Sequence, residues 1–157
     1  MGNLIRTLFV VFSALISTMS PVLAADYARD IPYQKLESIY GVNVGDKRQV
    51  VFRDDVTWNS IFYKESYGVY GPPPKINFRE NMVAGIFLGG YPVGRKYEIP
   101  ILSVKENVRN KKIVISYKVP KVDPPEGISL PSFTTLYTLV VIPASGKNVE
   151  FVEVKEE

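Results

Sequence analysis

The stretch Met82-Val83-Ala84-Gly85-Ile86-Phe87-Leu88, followed by Gly89-Gly90-Tyr91-Pro92-Val93-Gly94-Arg95-Lys96, decides how the rest of the chain is read. Its first half is apolar at odd and even positions alike. A strand buried on both faces requires that pattern. In its second half the glycines admit positive φ and Pro92 fixes φ, so Gly89–Lys96 predicts a turn that carries the chain out into solvent. Tyr97 to Val104 then resumes an extended pattern. Strand, turn and strand together point to a small β-rich domain.

Working outward, Lys112 to Val119 alternates, with Ile113, Ile115, Tyr117 and Val119 on one face. The polar link Glu106–Lys111 predicts a hairpin with the strand before it. Pro100 cannot donate to a ladder, so that earlier strand is expected at an edge or beside a bulge. Pro120 to Pro131 holds four prolines and reads as a long exposed loop. Phe133 to Ile142 is a second strand apolar on both faces, Pro143–Asn148 a turn, and Val149–Val154 the strand that closes the sheet. Upstream, Gln49–Phe52 reads as a strand. Asp54 or Asp55 can cap a helix reaching about Lys64, with Trp58, Ile61 and Phe62 as its buried face. Residues 25–47 show no sustained period and read as a loosely docked lead-in. The expected fold is α+β and mostly β: an antiparallel sheet or small sandwich of about six strands with one N-terminal helix.

Residues 1–24 stand apart. Arg6 makes a basic start, Leu8 to Ile16 an apolar centre, and Val22-Leu23-Ala24 a small-residue cleavage site. This is the layout of a secretory signal peptide, and it is short for a membrane span. The competing reading is an uncleaved N-terminal anchor. With the peptide removed, residues 25–157 make one domain, periplasmic or secreted, long enough to bury a core without disulfides. Removing Arg6 from a chain of formal charge +3 leaves +2. That balance argues against nucleic acid as a partner.

The chain contains no histidine and no cysteine. Ser-His-Asp and Cys-His nucleophilic systems are thereby excluded, as are His- or Cys-based zinc sites, haem attachment and Fe–S ligation. A lipid anchor on cysteine is excluded too. No cofactor and no metal site is expected, and the chain reads as a non-enzyme.

The order of elements adds a resemblance. A Trp-containing helix leads through a proline-rich stretch to Ile76-Asn77-Phe78 and the apolar strand ending in Gly89. A Pro-x-Gly turn, Tyr97-x-Ile99, a proline loop, Val140-Val141-Ile142-Pro143 and Val149-x-Phe151 follow. Over about residues 48–152 this resembles the C-terminal domain family of the protease complex subunit PrcB. Asn77 stands where that family's pattern has Asp, and the turn lacks its Thr and second Gly. The resemblance implies domain bounds of 48–157. It also implies a non-catalytic accessory protein of an envelope or secreted protease system.

The residues expected to contact a protein partner are Tyr91, Pro92, Val93, Arg95 and Lys96. Pro92 stiffens the crest of the predicted turn, so its neighbours have little freedom left to lose on binding. Arg95 offers a planar guanidinium suited to a carboxylate or an aromatic face. Tyr63, Tyr67 and Tyr70 are further aromatic candidates, set against a role in sealing the prolines. One alternative is a β-sandwich protease inhibitor acting through end loops, by architectural analogy with inhibitors of the chagasin type. The other is a carboxylate-based hydrolase built on Asp54-Asp55, opposed by the helix-capping role those positions suit. Asp123 and Glu126 carry oxygen ligands at a spacing that matches no calcium loop.

Overall fold

The computed structural model describes residues 28–37, 39–40, 42, 44–63, 71–92, 98–121 and 133–155. In chain order the elements are β1 (Ala28–Asp30), β2 (Gln34–Lys35), β3 (Lys47–Phe52), α1 (Asp55–Asn59), β4 (Asn81–Pro92), β5 (Ile101–Asn107), β6 (Lys112–Tyr117), β7 (Phe133–Pro143) and β8 (Asn148–Glu153). They form two four-stranded sheets, ordered β1-β5-β6-β8 and β2-β7-β4-β3. The class is the expected one, mostly β with one short helix. The strands among the described residues number eight rather than about six.

β4 explains why its sequence is apolar at every position. Met82, Ala84, Ile86 and Leu88 pack with Val104, Ile113, Ile115 and Tyr117 of the other sheet. Val83 and Phe87 face the opposite way, into a second core with Phe52, Trp58, Ile61 and Phe62. Ile39, Val44 and Leu139 complete that second core. The β4 sheet is thus covered on both faces, by strands on one side and by α1 with its flanking segments on the other. Among the described residues the β5–β6 sheet is covered on one face only, in keeping with the clean alternation of β6.

Thr138 is the polar exception in this interior. It lies on β7 at the same parity as Val140 and Ile142, which face the inter-sheet core. It is buried, and its Oγ1 has no hydrogen-bond partner among the described residues. An unpaired buried hydroxyl costs about 1–3 kcal/mol, and Val is nearly isosteric with Thr. Thr138→Val should therefore raise the melting temperature by a few degrees, measured by calorimetry. A fall would show that the hydroxyl is held by a hydrogen bond.

The structure departs from the sequence reading in five places. The lead-in is docked strand by strand: β1 pairs with β5 and β2 with β7, one on each sheet. The helix stops at Asn59 instead of running to Lys64. Asn59 Nδ2 donates to Asp55 O at 2.7 Å and Ser60 Oγ to Thr57 O at 2.7 Å, side-chain bonds that compete with helical ones. Ile61 and Phe62 are still buried as expected, through a turn and a bridge from Phe62 to Val42. β3 begins at Lys47, two residues before the strand read from Gln49.

The fourth departure concerns β8. It is parallel to β6 rather than antiparallel. The turn after Pro143 crosses from one sheet to the other, held by Ala144 N donating to Glu80 O at 2.8 Å and Arg53 Nη2 to Lys147 O at 2.9 Å. The fifth concerns the glycine pair. Gly89-Gly90 does not end the strand, because β4 stays paired with β7 as far as Pro92↔Phe133. Gly89, at φ 75°, absorbs one extra residue between Phe87 and Gly90 as a bulge. Any Cβ there would sit 3.3 Å from the Gly45 carbonyl oxygen. Pro100 behaves as its chemistry demands: β5 begins after it, with a register shift between Ile101 and Ser103.

Candidate functional site

Two places in the fold can carry function, at opposite ends of β7. The first is the end of the β4–β7 pair. β3 pairs with β4 only over Val83–Leu88, and β2 reaches β7 only at Val140 and Val141. Past the Gly89 bulge, Gly90–Pro92 and Phe133–Thr135 continue as a two-stranded ribbon. No third strand flanks that ribbon among the described residues. Its base is secured by Thr135 Oγ1, which donates to Val44 O at 2.8 Å. Below it the Tyr137 hydroxyl donates to the Ile39 carbonyl, and burial pushes the Tyr137 pKa up.

Of the expected contact residues, Tyr91 and Pro92 lie in β4 at this ribbon. Val93, Arg95 and Lys96 lie outside the described residues, as do Tyr67, Tyr70, Asp123 and Glu126. Pro92 is the last described residue before 93–97, and Phe133 is the first after 122–132. Those two residues are direct partners. Tyr63 is exposed. Asp54, one half of the carboxylate pair, is the N-cap of α1. Its Oδ1 accepts from Thr57 N at 2.8 Å, and that bond lowers its pKa. Asp55 sits in the first helical turn, where negative charge is favoured.

The second place is a cleft of about 310 Å³ between the β1–β2 connection and the β7–β8 turn. Glu106 of β5 forms its base, with its side chain only 9% exposed. Arg29 Nη2 donates to Glu106 Oε2 at 2.8 Å, and Lys147 Nζ donates to Oε1. Pairing register explains the meeting. Arg29 is the direct partner of Glu106 across β1 and β5, so both side chains lie on the same face of that sheet, Glu106 buried and Arg29 at its exposed edge. Lys147 arrives from the crossing turn, its own carbonyl held by Arg53. Sequence reasoning passed over this triad because its members are 77 and 41 residues apart. The one local signal is Glu106 at an inward position of a strand.

The hydrogen bond from Lys147 lowers the Glu106 pKa; burial opposes it, and the charges of Lys147 and Arg29 add to the lowering. A carboxyl held low in the fold contributes stability that is complete above its unfolded pKa, about 4.3. The contribution is lost as pH falls through the lowered folded value. The melting temperature of Glu106→Gln should therefore lie below wild type at pH 7, with the gap closing as the solution is acidified below pH ~4. A gap independent of pH would show that the pair does not stabilise the fold through charge.

Comparison of this chain with models of known protein families, with curated proteins and with solved structures finds no match. The PrcB-like reading therefore rests on the residues quoted for it above. No helix among the described residues is long and apolar enough to cross a membrane.

Proposed function

We propose that the chain is an exported, non-catalytic protein-binding module, acting as an accessory subunit of an envelope or secreted protease system. The observation that carries this reading is the Pro92↔Phe133 pair. It makes the last described residue before 93–97 and the first after 122–132 direct partners on adjacent strands. Segments that leave a rigid scaffold side by side make a common contact surface. Export rests on the layout of residues 1–24, and the protease association on the PrcB resemblance.

The test uses Tyr91→Ala and Arg95→Ala, each assayed for melting temperature and for recovery of the native partner from the envelope. Lost recovery at unchanged melting temperature supports the contact role. A large drop in melting temperature for Tyr91→Ala, with recovery intact in Arg95→Ala, would make the ribbon purely structural. Purified protein added to co-resident proteases separates the inhibitor alternative: an inhibitor lowers their turnover, whereas an accessory subunit co-purifies with its protease.

A further inference from the structure

We propose that the cleft over Glu106 binds a carboxylate bearing a short apolar group, with the anion on Arg29 and Lys147. The cleft holds unspent donors. Glu106 has both oxygens engaged, Oε2 by Arg29 and Oε1 by Lys147. A cation entering the cleft therefore finds neither Glu106 oxygen free, and the rim carboxylate, Asp30, faces Lys105 at 3.9 Å. An anion finds donors: the guanidinium has five N–H groups and the ammonium three, and each spends one on Glu106. Glu106 thus sets the two cationic heads side by side. Arg29 is 75% exposed, so its unused edge faces the open side.

Charge supports the same sign. Arg29, Lys147 and Glu106 sum to one positive charge. Asp30, the second carboxylate of the lining, lies at the rim, 88% exposed, where solvent screens it and Lys105 faces it at 3.9 Å. Arg53 adds a further positive charge behind the turn through its bond to the Lys147 carbonyl. Apart from Ser145, whose Oγ accepts from Lys147 N at 3.1 Å, the rest of the lining is apolar: Ile31, Pro32 and Ile113 on one side, Pro143 and Ala144 on the other. A volume near 310 Å³ is at the small end of ligand sites, sized for one acidic group and a branched aliphatic chain. Two sources present that chemistry, a free small carboxylic acid and the C-terminal residue of a polypeptide. The eleven residues of β7 separate this cleft from the ribbon by roughly 30 Å. Its occupancy can therefore be tested independently of the ribbon.

The test is a titration of the ¹⁵N-labelled protein, following amide shifts of Ile31, Ala144, Ser145 and Lys147. The probes are N-acetyl-leucine, N-acetyl-leucinamide and the tripeptide Ala-Ala-Leu. The acid should shift these amides and the amide analogue should not. Arg29→Gln should abolish the response. Glu106→Gln removes the resident negative charge while keeping its shape, and should tighten acid binding about tenfold, the effect of one partly screened charge some 5 Å away. Tighter binding of the tripeptide than of N-acetyl-leucine assigns the source to polypeptide ends; equal binding assigns it to small acids. Equal response to acid and amide analogue would overturn the proposal. So would the absence of any response in both wild type and Glu106→Gln, or a response that survives in folded Arg29→Gln.

Discussion

Trp58→Ala is expected to destabilise the protein by about 3–5 kcal/mol, the usual cost of removing a large buried aromatic. For a domain of this size that lowers the melting temperature on the order of 15 °C. Trp58 is 1% exposed and is the centre of the second core. Phe52 and Phe62 meet it edge-on, with ring centroids 5.4 and 5.0 Å away. Its Nε1 donates to the Pro74 carbonyl at 3.0 Å, tying the proline stretch down over the helix. Trp58→Phe separates the two contributions. It keeps most of the apolar area but leaves the Pro74 carbonyl without its donor, so it should cost about 1–2 kcal/mol. Thermal or urea unfolding of both variants is the check. A Trp58→Ala protein that melts like wild type would mean that the covered face of the β4 sheet is misassigned.

Gly85→Ala is expected to cost about 1–3 kcal/mol, although it adds a single methyl group. Gly85 lies mid-strand in β4, between Val83 and Phe87 on the face turned toward Trp58. A Cβ there would lie 2.8 Å from Phe87 Cε2 and 2.9 Å from Leu139 Cδ2. Both neighbours are themselves fully buried, so neither can swing into solvent to make room. The glycine is a space into which the Phe87 ring folds. Gly146→Ala is the matched control. It has nothing within 4 Å of the added carbon and no positive φ, and it should change stability by less than about 0.5 kcal/mol. Equal effects of the two substitutions, read by urea unfolding, would remove the packing argument.

The double-sided burial of β4 was legible in Met82–Leu88 because no polar residue interrupts it. β6 and its hairpin with β5 were equally legible, since strict alternation has one reading. Asp54 as a cap and Trp58, Ile61 and Phe62 as core came from residue chemistry and spacing. The helix length did not: i, i+3, i+4 spacing fits both a continued helix and the turn-and-bridge geometry that Phe62 adopts with Val42. β1 and β2 are three and two residues long, too short to carry a period of their own. The parallel sense of β8 leaves no trace in alternation, which is the same for either sense. Gly89 was read as a release because bulges and turns use the same residue. The Glu106 triad depends on contacts between distant segments, which no local pattern encodes.

The most direct test of the proposed function is site-specific photo-crosslinking in the native envelope. A photoreactive phenylalanine is placed at Val93, the residue after Pro92, and in a second strain at Val114, on the outward face of β6. The account predicts one dominant protein adduct from position 93, none from position 114, and a melting temperature near wild type for both. Equal adducts from the two positions, or none from position 93, would contradict it.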